Sequence, residues 1–216
     1  MIYYLPSCKI KALHPDSSIK MQNYLRKHGV EVVGCCKVSQ NLFKQGDTVI
    51  NNCTSCAIIT GEQSPFVNNI ALYEYLLNDP NFKWPNYNGE NITVQDCYRT
   101  KDKPSVQKAI RQCLIKMNMV PIEIEENFEK TNFDGPFIYE RVSPINLKMA
   151  PNYYGELDKH IKVLSSEEIK EKMETWVKQY ETQRVVVYCN SCLKGVLLGG
   201  ANGIHIIDLL AKDLED

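Results

Sequence analysis

The chain lacks an excess of charge of either sign. Its 216 residues carry 25 Lys and Arg against 26 Asp and Glu, a formal net charge of −1. That balance offers neither the basic stripe that a nucleic-acid partner requires nor a polybasic patch for an anionic membrane surface. Long apolar runs are also missing, so no membrane span is expected. The first residues, Met1-Ile2-Tyr3-Tyr4-Leu5-Pro6, show no basic segment leading into an apolar one. No secretory signal is read there, and the expected location is cytoplasmic. Histidine is scarce, and His14, His28, His160 and His205 form no spaced pair, which argues against an imidazole metal site. His14, near Cys8, comes closest to an exception. Gly199-Gly200-Ala201-Asn202-Gly203 has neither a P-loop lysine nor the dinucleotide fingerprint, so it reads as a connection.

What is abundant is cysteine. There are nine: Cys8, Cys35, Cys36, Cys53, Cys56, Cys97, Cys113, Cys189 and Cys192. The odd count, the missing export signal and the length speak against a disulfide-stapled miniprotein. Clustered cysteines in such a chain read as metal ligands or redox thiols. Cys113 is the exception, because it falls on the apolar face of a predicted helix and reads as a core thiol.

Periodicity places the cysteines. Ile2–Leu5, Val30–Val33 and Thr48–Ile50 are candidate strands that run into Cys8, into Cys35-Cys36 and into Cys53-Thr54-Ser55-Cys56. A helix is expected over about 18–28, stopped by Gly29, and another from Ser64-Pro65 with Phe66, Ile70, Tyr73 and Leu77 inward. The polar stretch 78–91 reads as a linker. The plan then recurs. A strand over 92–94 ends at Asp96-Cys97, a helix spans about 105–119, and a strand covers 120–124. An irregular stretch follows over 125–162. A capping box at Ser165–Glu168 opens a helix. A strand over 184–188 runs into Cys189-Asn190-Ser191-Cys192, and a helix is expected from Gly203 to Leu214. Alternating strands and helices predict an α/β fold of two tandem, Rossmann-like halves, residues 1–90 and 91–216. Their sheets should be parallel, with cysteines at the carboxyl ends of strands.

In the first half, Cys8, Cys35, Cys36, Cys53 and Cys56 are candidate ligands. Five thiolates exceed what tetrahedral zinc needs and suit iron–sulfur ligation. The second half offers Cys97, Cys189 and Cys192. Three thiolates can hold zinc with a fourth ligand, or hold nothing.

The lone Cys, the Cys-Cys pair and the CxxC, with a partial second copy, resemble the cysteine-rich CCG domain family. That family includes the B subunit of heterodisulfide reductase and the iron–sulfur proteins of lactate and glycolate oxidation. The resemblance covers nearly the whole chain and implies a noncubane [4Fe–4S] cluster on Cys8, Cys35, Cys36, Cys53 and Cys56. Two departures stand out. Lys37 replaces the glycine after the pair, and only 16 residues separate Cys36 from Cys53, which points to a missing helix. In the second copy the match to Cys-Cys-Gly is Phe133-Asp134-Gly135. Both cysteines are absent there, and Asp134 joins Cys97, Cys189 and Cys192 as the candidate set of a weaker, degenerate site.

The resemblance implies an electron-transfer protein or a component of a heterodisulfide-reductase-like oxidoreductase, suited to anaerobic chemistry. Its partner would be a flavoprotein or another iron–sulfur protein, and a disulfide or thiol its substrate. Two other readings stay open: a zinc-binding, non-enzymatic interaction protein, and a metal-free thiol/disulfide enzyme in which a cysteine pair cycles.

Overall fold

The structure is a computed structural model that describes residues 1–215. It is an α/β fold with two four-stranded, wholly parallel sheets flanked by helices. The chain divides into two compact units. One contains 1–83, 142–159 and the residues from Leu210 onward; the other contains 84–141 and 160–209. The first crossing between units falls inside the polar stretch 78–91. Residues 142–159 belong to the first unit although they lie far along the chain.

In the first unit the order begins β1 (Ile2–Leu5), α1 (Cys8–Leu13), α2 (Pro15–Lys27), β2 (Glu31–Val32). It continues β3 (Thr48–Asn51), α3 (Thr54–Gln63), β4 (Asn68–Ala71), α4 (Leu72–Leu77). The strands lie in the order β2-β1-β3-β4. The two inner strands carry the buried run Tyr3, Tyr4, Leu5 and Val49, Ile50, as strands covered on both faces must. Helix α2 starts at a proline that needs no N–H partner. It stops where Gly29 takes φ +79°, with Val30 N–H donating back to Leu25 O at 3.0 Å.

The second unit repeats this plan. Its elements are β5 (Glu90–Val94), α5 (Pro104–Lys116), β6 (Met119–Ile122) and, after an excursion, β7 (Val185–Val187), α9 (Asn190–Leu198), β8 (Gly203–His205) and α10 (Ile206–Leu210). The excursion holds α6 (Pro144–Met149) and α7 (Pro151–His160), which up to Lys159 belong to the first unit, and α8 (Ser166–Trp176) of the second. The strand order, β6-β5-β7-β8, reproduces that of the first unit position for position. Ser165 and Glu168 form the expected capping box at the start of α8.

Three sequence expectations are corrected. The segment after Ser64-Pro65 is not one helix: β4 comes first and α4 follows it. Its apolar spacing joins an edge strand to a helix, and Asn69 ties that strand into place by donating to Ala57 O at 2.8 Å and accepting from Asn51 Nδ2 at 2.7 Å. Likewise the last segment opens as β8 before turning helical. Gly203 is needed there, since a Cβ would stand 2.9 Å from Val196 Cγ1. The stretch 125–162 is not irregular throughout, because α6 and α7 lie within it. Between Cys36 and Cys53 the structure has a three-residue 3-10 turn, Gln40–Leu42.

A buried polar latch joins the carboxyl ends of β5 and β7. Arg111 on α5 grips Asp96 through two bonds of 2.6 and 2.8 Å, and its other edge meets Glu123 at 2.7 and 2.9 Å. Tyr188 donates its hydroxyl to Asp96 Oδ1 at 2.8 Å and accepts from Cys97 N–H at 3.2 Å. Asp96 is fully buried. Replacing Arg111 by Met leaves that carboxylate without its cation, and the expected loss of stability is about 3–5 kcal/mol. Denaturant unfolding of the reduced chain measures it; a loss below about 1 kcal/mol would show that Tyr188 and the Phe128 N–H, which donates to Asp96 Oδ2 at 2.9 Å, suffice.

Candidate metal centre

Both CxxC motifs are built in the same way. Cys53 caps α3 with φ −139°, ψ 128°, and Cys189 caps α9 with φ −140°, ψ 129°. Each follows an inner strand, and each motif's second cysteine, Cys56 or Cys192, lies one turn into the helix and is buried. The motif is therefore a helix amino terminus rather than a free turn. Its unpaired N–H groups and the positive end of the helix dipole favour thiolate. The lone cysteines also correspond. Cys8 opens α1 just after β1, and Cys97 lies just after β5. The third contribution comes after the edge strand: Cys35 and Cys36 follow β2, while Asp134 arrives in the loop after β6.

In the first unit the thiols form a chain of neighbours. Cys35 and Cys36, Cys36 and Cys56, and Cys56 and Cys53 are close enough to act on one another's ionisation. Cys8 is near enough to Cys35 to act on its charge. Hydrogen bonding from Cys56 lowers the Cys36 thiol below its ordinary value despite burial. The same contacts with Cys36 and Cys53, together with burial, push Cys56 well up. Cys8 is exposed and Cys35 and Cys53 are half-buried, so one side of the chain of thiols meets solvent. The neighbouring polar frame is local: Gln40 donates to Cys36 O at 2.6 Å, and Asn52 donates to the buried Tyr4 hydroxyl at 2.6 Å.

The second unit brings its candidate set into one compact group. One ligand atom from each of Cys97, Asp134, Cys189 and Cys192 lies within 4.8 Å of all the others, and all four residues are buried. This group could hold a metal ion. Among the described residues, no set of three or more ligands meeting that distance draws on the first unit's thiols. Asp134 Oδ1 sits 3.4 Å from Cys97 Sγ, 3.6 Å from Cys189 Sγ and 3.9 Å from Cys192 Sγ.

Arg99, which the sequence reading missed, completes the site. Its Nε and Nη2 grip the two oxygens of Asp134, each at 2.8 Å, and Nη2 also reaches Cys189 Sγ at 3.0 Å. Its guanidinium lies over the Phe137 ring at 4.6 Å. The one signal in the sequence was its position two residues after a candidate ligand. Burial pushes the Asp134 carboxyl up to about 7 against the pull of Arg99. Burial also acts to raise Cys189, yet the thiols of Cys192 and Cys97 and the Arg99 cation stabilise its thiolate and hold it well below the usual value. Cys97 and Cys192 are pushed well up, first by burial and then by the contact with Cys189. Cys113 is buried on α5, and burial raises its thiol.

Gly135 is what delivers Asp134. Its φ is +55°, and a Cβ there would stand 2.0 Å from Ser191 O and 3.2 Å from Gly195 N. The loop lies directly on α9, with Ser191 Oγ donating to Asp134 O at 2.6 Å and accepting from Phe137 N–H at 3.3 Å. Only a glycine pair, Gly135 against Gly195, permits that approach. No family model matches the chain, and no match is found among curated proteins or solved structures.

Gly135→Ala should cost about 3 kcal/mol or more, from left-handed strain together with the clash on Ser191. Thermal unfolding measures the loss, and Gly155→Ala is the control, since open space surrounds that position. Equal losses in the two variants would refute the account of the loop.

Proposed function

We propose that the chain is an iron–sulfur redox protein of the CCG type. Its cluster, a noncubane [4Fe–4S] centre, is held in the first unit by Cys8, Cys35, Cys36, Cys53 and Cys56. The observation that carries this reading is the string of five neighbouring thiols delivered by the ends of β1, β2 and β3. The donor set fits the group. Thiolates dominate iron–sulfur ligation, and a core several atoms wide needs its ligands spread farther than a single ion does. Five neighbouring thiols exceed the four ligands that a zinc ion takes, which favours a cluster over a mononuclear zinc ion.

The cluster would supply one-electron chemistry at a potential set by its thiolates and their surroundings. The protein's part is to hold Cys36 and Cys56 in a buried frame while leaving Cys8, Cys35 and Cys53 toward solvent. That open side suits exchange with a redox partner, a flavoprotein or another iron–sulfur protein, and the approach of a disulfide or thiol. The reaction class that follows is electron transfer, with heterodisulfide-reductase-like oxidoreduction as its catalytic form.

Protein made and reconstituted without air should contain about four irons and about four sulfides per chain, with an electron paramagnetic resonance signal on oxidation or reduction. Cys36→Ala should lose most of both. Absence of iron and sulfide after reconstitution would sink the proposal. Disulfide exchange that persists in metal-free protein would favour the thiol-enzyme reading instead.

A further inference from the structure

The second unit's group has a geometry of its own. Bonds of about 2.3 Å to sulfur and about 2.0–2.2 Å to oxygen, opened at the tetrahedral angle, place sulfur and oxygen ligands about 3.6 Å apart. The three distances from Asp134 Oδ1 to Cys97, Cys189 and Cys192 Sγ, at 3.4, 3.6 and 3.9 Å, bracket that value. With all ligand atoms inside 4.8 Å, one ion fits between them and a polynuclear core does not. Every ligand is buried, at no more than 4% exposure.

We propose that Cys97, Cys189, Cys192 and Asp134 Oδ1 form a closed tetrahedral site for a single zinc ion, with Arg99 as its positioning residue. Three thiolates and one carboxylate are the donors of a borderline-soft, four-coordinate divalent cation, and four protein ligands leave no open position. The site is therefore structural. It clamps the ends of β5 and β7 and the loop after β6 to one another.

Arg99 has two tasks. Its fork holds the Asp134 carboxylate so that Oδ1 faces the three sulfurs, which a lone carboxylate in a sulfur pocket would not do unaided. It also offsets charge, since four anionic ligands around a dication leave an excess of two negative charges in a buried place. Phe137 beneath the guanidinium and the Ser191 bonds to the loop keep both groups in register. The rival arrangement is metal-free, with Arg99 as the only counter-ion of a Cys189 thiolate. The proposal sharpens the metal-binding reading of the second unit and does not depend on the iron–sulfur reading of the first.

The test is metal analysis of anaerobically purified chain, with X-ray absorption at the zinc edge. The expected result is about one zinc per chain in a shell of three sulfurs and one oxygen. Cys189→Ala should lose zinc and keep iron, and Cys36→Ala should do the reverse, so failure of either reading is visible separately. Arg99→Met should weaken zinc about 10–100-fold in chelator competition, and Arg99→Lys should recover part of that loss. If Cys189→Ala does not fold, the cobalt-substituted wild-type chain decides through its tetrahedral ligand-field spectrum. Failure of the reduced wild-type chain to take up zinc or cobalt overturns the proposal. So does an iron content near eight per chain, which would put a second cluster there.

Discussion

Parallel pairing of two inner strands in each sheet is the constraint from which the chemistry follows. β1 pairs with β3 from Ile2–Thr48 to Leu5–Asn51, and β5 with β7 through Thr93–Val185 and Val94–Val186. Parallel neighbours finish at the same edge, so residues far apart in the chain leave the sheet side by side. Cys8 and Cys53 leave the same edge of the first sheet for this reason, and Cys97 and Cys189 come within 4.8 Å of each other in the second. An antiparallel pairing would have sent the two cysteines of each pair to opposite edges. The carboxyl-terminal edge of an open α/β sheet is the usual place for a ligand site, and here sulfur occupies it twice.

The two units use one plan with different charge arithmetic. In the first, thiols alone are arrayed, and their contacts with one another pull the Cys36 thiol down and push Cys56 up. In the second, a carboxylate stands where a cysteine pair would be expected, and a guanidinium accompanies it. The Asp96–Arg111–Tyr188 latch lies beneath, with a buried hydroxyl that contacts the residue before Cys97 and the N–H of Cys97 itself. Positions that look unremarkable in sequence thus set the orientation of the ligands.

Much of the architecture was legible because its strands are simple. Val185-Val186-Val187 and Thr48-Val49-Ile50 are short β-branched runs that end at cysteines, and the Ser165–Glu168 box marks its helix by composition alone. β4 and β8 were hidden because edge strands are brief and carry polar or glycine residues, so the neighbouring helices supplied the visible periodicity. The helices at the two CxxC motifs were also hidden. A cysteine at a helix cap does not resemble Ser, Thr, Asp or Asn, the usual signals of a helix start. The candidate ligands could be read as residue types following strands. Arg99 and the packing role of Gly135 could not, because each acts through a partner more than 30 residues away, Asp134 and Ser191 respectively.

The difference in solvent access between the two sulfur groups has a kinetic meaning. Water reaches Cys8, Cys35 and Cys53, whereas Cys97, Cys189 and Cys192 are sealed beneath the loop that Gly135 presses onto α9. A ligand held by the second group would have to await a local opening of its buried surroundings, so its residence time would be governed by the rate of that opening and not by affinity alone. Solvent access therefore sets a fast exchange regime for the first group and a slow one, limited by local opening, for the second.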